Sequence, residues 1–450
     1  MSKALWSVVL QLSRLGGNVI FFLAMARLLP VADLGAFATA LAVFRWSQVL
    51  HKGGIADAVV LTAPADAARL AALFWLAQAL TVGIAVLALG LIGLAYLGVG
   101  ALQDMQAQIA TLLLVPLFQG ASAVQEAQLR QALRLRALAL RTAAVQLLSG
   151  AGGFALYAMG GGVWSLVGFA VINAVASALL SWRMARWWPS DGPRLAQMRA
   201  LAPEVMAIAG RGLVAGAALP LIQFLLGLVY GGAIAGGFQI AQRIFQLVDA
   251  LTLAPLRFLV LPVMMRVKDR SAGLVVRVLR LAALVSAPAY MAVAVWALPV
   301  LNALLGASAA GLAAPMVQAL AALGPVATTV LGVDQALVVR KGAGRAFLRA
   351  GLGLGLSAGC VVLMVPVSAQ AMILGHVLAS YLALGLLLPR MLRLIGLEVR
   401  ALLWAVGLPY LLCAGLTACL ALPFGAVAFG GGCGGVALCW WHMVRQVGRA

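Results

Sequence analysis

Charge is what this 450-residue chain has least of: only 9% of its residues are Asp, Glu, Lys or Arg, against about 25% in a water-soluble domain. So few charges cannot cover the surface of a fold in water. The longest polar stretch, about Arg183 to Ala202, is too short to bury a core of its own. Acids are scarcer than bases, 11 against 31. The three histidines, His51, His376 and His442, are scattered, and no Ser/His/Asp set, phosphate loop or metal cluster occurs, so the chain is not expected to be an enzyme or to need a cofactor. The five cysteines, Cys360, Cys413, Cys419, Cys433 and Cys439, form no CxxC and lie inside apolar runs, where they read as small buried hydrophobes. Cys439 and His442 stand three apart, but two ligands make no metal site.

Apolar sequence is what the chain has in excess. Hydrophobic residues make up 64%, and the mean hydropathy is +1.09. Lipid tails solvate Leu and Ala well, and a spanning helix needs about 20 apolar residues. The runs predict an all-α polytopic membrane protein of about 14 transmembrane helices, near 4–28, 35–61, 69–97, 107–129, 137–159, 163–184, 203–228, 235–264, 277–304, 310–338, 346–366, 370–388, 399–421 and 425–444. The first run lacks a small-residue cleavage site and should stay in the membrane.

The net charge of +20 would point to nucleic acid in a soluble protein, but here the bases mark topology. Of the 31, 24 fall at the termini or in the even-numbered gaps between spans, among them Arg69, Arg130, Arg134, Arg136, Arg183, Arg186, Arg194 and Arg199. The odd-numbered gaps hold one, Arg27. Both termini are therefore expected in the cytoplasm of a bacterium, with the chain in the inner membrane and no nucleic acid bound. The opposite gaps are too short for an extracytoplasmic catalytic domain.

Six bases do not belong to this signal: Arg14, Arg45, Lys52, Arg211, Arg243 and Arg257 lie within the apolar spans. A charge at mid-bilayer costs about 2.5–3.5 kcal/mol on insertion scales, so such residues usually face a bundle interior or a wet cavity. Their neighbours are polar at helical spacing. The first span offers Ser7, Gln11, Arg14 and Asn18 on one face; the second, Arg45, Gln48 and Lys52; the seventh, Glu204 and Arg211; the eighth, Gln239, Gln242, Arg243, Gln246 and Asp249. Acids at similar depth are few: Asp57 and Asp249, with Glu204 nearer one end. Arg211 could be neutralised by Glu204 and Arg243 by Asp249, in which case these groups only hold helices together. Taken as a set, the bases outnumber their partners and predict a cavity for an anion, for which the planar guanidinium fork suits phosphate. Asp249 and Asp57 are the acids that could take a coupling proton or Na⁺, or simply neutralise a neighbour.

The chain also repeats itself. Gly35-x-Phe37-x-x-Ala40-x-x-x-Phe44 recurs as Gly236-x-Phe238-x-x-Ala241-x-x-x-Phe245, and Arg136-Ala137 as Arg345-Ala346. The matches predict two six-helix pseudo-repeats of like orientation, 1–184 and 203–395, joined by a cytoplasmic linker at 185–202 and followed by two further helices within 396–450. This is a layout for alternating access, with the basic cavity between the halves.

The stretch Ala26-Arg27-Leu28-Leu29-Pro30-Val31-Ala32-Asp33-Leu34-Gly35-Ala36-Phe37 resembles the junction of the first two helices in polysaccharide flippases of the Wzx type, within the MATE-like MOP superfamily. Gln128-Leu129-Arg130 with Arg136-Ala137-Leu138 resembles that family's loop between helices 4 and 5, and Gly162-Val163-Trp164-Ser165-Leu166-Val167-Gly168 its turn between helices 5 and 6. His51-Lys52-Gly53-Gly54 is more basic than the family pattern there.

The resemblance implies a flippase that carries a polyprenyl-pyrophosphate-linked oligosaccharide between leaflets, for O-antigen or exopolysaccharide. Membrane lipid and the polymerase and ligase machinery would be its partners. It implies that cavity arginines, by position Arg14, Arg45, Arg211 and Arg243, hold the pyrophosphate, with Lys52 and Arg257 behind them and Gln11, Asn18, Gln239, Gln242 and Gln246 on the sugars. Three other readings stay open: a lipid II flippase of the same superfamily, a cation-coupled drug exporter of the same fold, whose cavity should hold acids, and a membrane O-antigen polymerase or ligase, which should carry a long outward loop.

Overall fold

In hydrocarbon each backbone N–H and C=O must find its partner within the segment, so apolar runs of this length have to be helices. The computed structural model describes residues 3–62, 66–96, 105–132, 134–253, 256, 271–341 and 343–421, and helices are the regular structure among them. Helix α1 is Lys3–Leu28. α2, Val31–Val49, runs through a π-helical turn, Leu50–Ile55, into α3, Ala56–Leu61. Then come α4 (Ala67–Tyr96), α5 (Gln106–Leu112), α6 (Leu114–Gln131), α7 (Leu135–Ala158), α8 (Trp164–Ala185), α9 (Leu195–Gly216), α10 (Ala218–Tyr230) and α11 (Gly232–Thr252). α12 (Ser271–Leu305), α13 (Ala307–Ala321), α14 (Gly324–Lys341), α15 (Ala343–Met364), α16 (Ala369–Ile395), α17 (Val399–Leu402) and α18 (Leu408–Ala421) follow, with a second π-helical turn at Leu403–Gly407.

These helices occupy the first thirteen of the spans read from the sequence; the fourteenth, 425–444, lies outside the described residues. Six are long and apolar enough on their own to cross a membrane, Ala67–Leu94, Gln106–Gln131, Trp164–Ala185, Val275–Leu305, Ala307–Val333 and Ala369–Leu394. The protein is a polytopic membrane protein. The seventh helix departs from the reading. It starts at Leu195 instead of 203, with Pro203 inside it, and it breaks at Ala217 into α9 and α10. The sequence reading took Pro203 for a helix start, but a membrane helix can carry proline within it.

The chain divides into two compact units, Met1–Gln239 and Ile240–Ala450. In the first, α1 is held by rings. Phe21 stacks on Phe169 of α8 with centroids 4.1 Å apart, and Phe154 of α7 meets it edge-on at 5.3 Å. The segment before α9 is docked as well: the Trp75 indole donates to the Asp191 carbonyl at 2.9 Å, and Trp187 meets Phe74 edge-on. A buried ion cluster ties α6, α7 and α8. Glu126 accepts from Arg130 at 2.5 Å and lies 3.4 Å from Arg141, whose other terminal nitrogen donates to Ser181.

The second unit is organised around α12, against which α13, α14 and α18 pack. Its core is stapled by three buried hydroxyls from three helices. Ser286 lies 2.9 Å from Thr328 and 2.9 Å from Tyr410, and Thr328 lies 3.0 Å from Tyr410. No water reaches such a site, so each hydroxyl depends on the others. Tyr410→Phe keeps the ring but removes one corner of the triangle. It should cost about 1–2 kcal/mol, read as a lower thermal midpoint of the detergent-solubilised protein; an unchanged midpoint would show that the triangle adds nothing to the packing of α18.

Candidate functional site

The residues singled out from the sequence fall on α1, α2, the first π-helical turn, α3, α9 and α11. For Gln11, Arg14, Lys52 and Arg211 the structure describes the helix they sit on and nothing of their side chains, and Arg257 lies outside the described residues. Asn18 and Arg45 are half-buried. Arg45 makes no ion pair or hydrogen bond among the described residues. Asp57 is exposed at the start of α3.

α11 carries the longest polar stripe as one unbroken helix, Gly232–Thr252. Gln239 and Gln242 are buried on it, and Arg243, Gln246 and Asp249 are half-buried. At 3.6 residues per turn the steps of three and four between them keep all five on one face. The Gln239 amide nitrogen is buried without a hydrogen-bond partner among the described residues. A buried amide left unpaired costs about 1–3 kcal/mol, so a group held this way is poised for a bound water or a ligand.

Glu204, the acid that could neutralise Arg211, has a partner on another helix. Glu204 is taken by Arg69, whose Nη2 lies 2.6 and 2.8 Å from its two carboxylate oxygens. Glu126 and Asp191 are likewise engaged by Arg130, Arg141 and Arg194, all bases of the topology set. The acids in these described salt bridges thus serve the helix ends.

Two histidines gain places that sequence left open. His51 is fully buried in the π-helical turn, its Nε2 3.1 Å from the Thr81 hydroxyl and 3.3 Å from the Ala77 carbonyl of α4, under Gly120 of α6. The Gly53-Gly54 pair beside it was the only cue to this turn. His376 of α16 meets Ser357 of α15 at 2.5 Å, a paired core histidine. Sequence reasoning also passed over the glutamines of α4 to α6. Gln125 is 1% exposed, and both polar atoms of its amide lack a partner among the described residues, as do single atoms of Gln78, Gln108 and Gln119. Among the described residues no three His, Cys, Asp or Glu gather as a metal site would need.

The two copies of the repeat meet inside the first unit. A β-carbon built on Gly35 of α2 would lie 2.6 Å from the Gly236 nitrogen of α11 and closer still to the Gly232 carbonyl oxygen. One built on Gly236 would strike Val31, and one on Gly232 would lie 2.6 Å from the Ala32 carbonyl oxygen. The backbones of α2 and α11 therefore touch, and they touch at the matching glycines of the two motifs.

Residues 24–314 match the family described as polysaccharide biosynthesis protein. The chain belongs to this family. Among solved structures the fold is similar to that of the lipid II flippase MurJ in an inward closed conformation, with a TM-score of 0.71 at 11% identity over 99% of both chains. It is also similar to a multidrug resistance MATE family transporter of the MOP superfamily. The inward-facing form gives a TM-score of 0.60 at 16% identity, covering 88% of this chain and 99% of that one. The outward-facing form gives 0.54 at 16% identity, covering 88% and 96%. No match among curated proteins is found. At these identities the structures establish the fold, which is that of membrane transporters.

Proposed function

We propose that the protein is a flippase that moves a polyprenyl-pyrophosphate-linked oligosaccharide from the inner to the outer leaflet of a bacterial inner membrane by alternating access, with both termini in the cytoplasm. The observation that carries the reading is the excess of bases over acids on α1, α2, α9 and α11, in a chain of the polysaccharide biosynthesis family with a transporter fold. Such a substrate has three parts with three needs. The lipid tail stays in the bilayer; the sugars need hydrogen-bonding side chains such as Gln239 and Gln242; the pyrophosphate needs fixed positive charge away from water. Arg14, Arg45, Arg211 and Arg243 supply that charge, with Lys52 and Arg257 further along. No nucleotide site is present in the sequence, so an ion gradient or removal of the product drives the cycle.

Lipid II shares the polyprenyl pyrophosphate, and the likeness to its flippase favours that substrate as a second reading. The family match favours the oligosaccharide. A drug exporter for cations should concentrate acids where this chain concentrates bases. The deciding experiment compares a strain lacking the protein with wild type. Lipid-linked oligosaccharide should build up on the inner leaflet and clear when the gene is returned. Accumulation of lipid II instead would select the second reading, and normal handling of both with heightened sensitivity to cationic drugs would select the exporter.

A further inference from the structure

We propose that α9, the half of the seventh helix nearer the basic end, is a gate arm, and that Arg69–Glu204 is the latch that holds it shut. The inference rests on the alternating-access reading above. Glu204 is the α9 contribution to a knot otherwise made by α3, α4 and α6. Arg69 grips both Glu204 oxygens at 2.6 and 2.8 Å, and its Nε donates to the Thr62 hydroxyl at 3.0 Å. Gln131, at the end of α6, donates to the Thr62 carbonyl at 2.7 Å. The last turn of α3 is thereby fixed in place, and Arg69 extends from this fixed base to α9.

Three features make α9 an arm. Its far end is a break, since α9 stops at Gly216 and α10 starts at Ala218. Pro220 follows with no N–H to offer the carbonyl four residues back, so the helix ladder is interrupted there. The contact of α9 with the π-helical turn is close at glycines on both sides. A β-carbon on Gly54 would lie 2.9 Å from the Ala209 methyl and 3.2 Å from Val205, and one on Gly212 would lie 3.1 Å from Val49. Val205 is buried there in one core with Ile55 and Val59, so an arm that opens uncovers it. Last, the ion pair has the strength a latch needs. Its side chains are 32% and 39% exposed, and an ion pair so placed shifts an equilibrium by a factor of only about two to five. A permanent tie has no need to be that weak, whereas a contact that opens in every cycle does.

Two measurements test this. Arg69→Cys with Glu204→Cys, bridged in membranes by a short bis-methanethiosulfonate, should lose export, and dithiothreitol should restore it; wild type treated alike controls for the five native cysteines. The second readout needs no transport. Ala209 is fully buried, so a maleimide should modify Ala209→Cys slowly. Adding Glu204→Ala should speed labelling about threefold, and the charge swap Arg69→Glu with Glu204→Arg should slow it again. Export that survives the bridge, or labelling that ignores Glu204, would overturn the latch. If wild type moves no lipid-linked oligosaccharide at all, the flippase reading falls, and the labelling rates still decide whether α9 is an arm held by this pair.

Discussion

Arg14→Ala and Arg243→Ala should each lower export by about 100-fold while both proteins are still made and inserted. A hydrogen bond to a charged group contributes about 1.5–3 kcal/mol, and an arginine can make two such bonds to one phosphate group through its planar fork. Losing one fork therefore costs about two to four orders of magnitude in binding at 1.4 kcal/mol per tenfold, with 100-fold at the low end. Insertion moves the other way. A base within the bilayer costs about 2.5–3.5 kcal/mol to place, so alanine at position 14 or 243 should not impair membrane delivery. Immunoblots of the membrane fraction separate the two effects, and Arg134→Ala, exposed at the basic end, should export normally. The arginine-to-lysine versions keep the charge and lose the fork, and should fall between. Full export by both alanine variants would remove the anion-binding cavity from the account.

Much of the architecture was legible because the bilayer leaves the chain little choice. A run such as 69–97 has to be a helix, and α4, Ala67–Tyr96, matches it within two residues at each end. The repeat was legible for a related reason. Gly35 and Gly236 carry a contact that only glycine permits, so both stand out in Ala/Leu-rich surroundings. The breaks were harder. The span read as starting near 203 starts at Leu195 with Pro203 carried inside α9, whereas the break at Ala217, flanked by Gly216 and Pro220, falls inside one unbroken apolar run. A π-helical turn such as Leu50–Ile55 inserts one residue without changing the hydropathy of the run, so composition does not reveal it.

The site was legible as types of residue more than as partners. Polar residues every three or four positions placed Gln239, Gln242, Arg243, Gln246 and Asp249 on one face of a helix, and α11 is that helix. Partners on other helices were not legible, because pairing was argued along one helix. Glu204 and Arg211 share a face by spacing, yet the partner of Glu204 comes from 135 positions away in the chain, at the start of α4. The same limit hid the surroundings of His51, whose ring meets α4 across 26 and 30 positions. Contacts of that reach depend on how helices cross, which hydropathy does not encode.

Gly35→Ala should be the most damaging single methyl group in the protein. Its new carbon would lie 2.6 Å from the Gly236 nitrogen and nearer still to the Gly232 carbonyl oxygen, and neither is a side chain that can rotate away. Overpacking a core costs about 1–3 kcal/mol when side chains can yield; against backbone the helices themselves must part, and the cost should reach the top of that range or pass it. Gly236→Ala should do the same, because its new carbon would strike the Val31 backbone. Gly83→Ala is the control. It adds the same methyl group inside α4 with nothing within 4 Å, and a helix interior favours Ala over Gly by about 0.5–1 kcal/mol. Thermal midpoints in detergent should therefore move in opposite directions for the same chemical change, sharply down at 35 and 236 and level or slightly up at 83. If Gly35→Ala melts with Gly83→Ala, the backbones do not touch there.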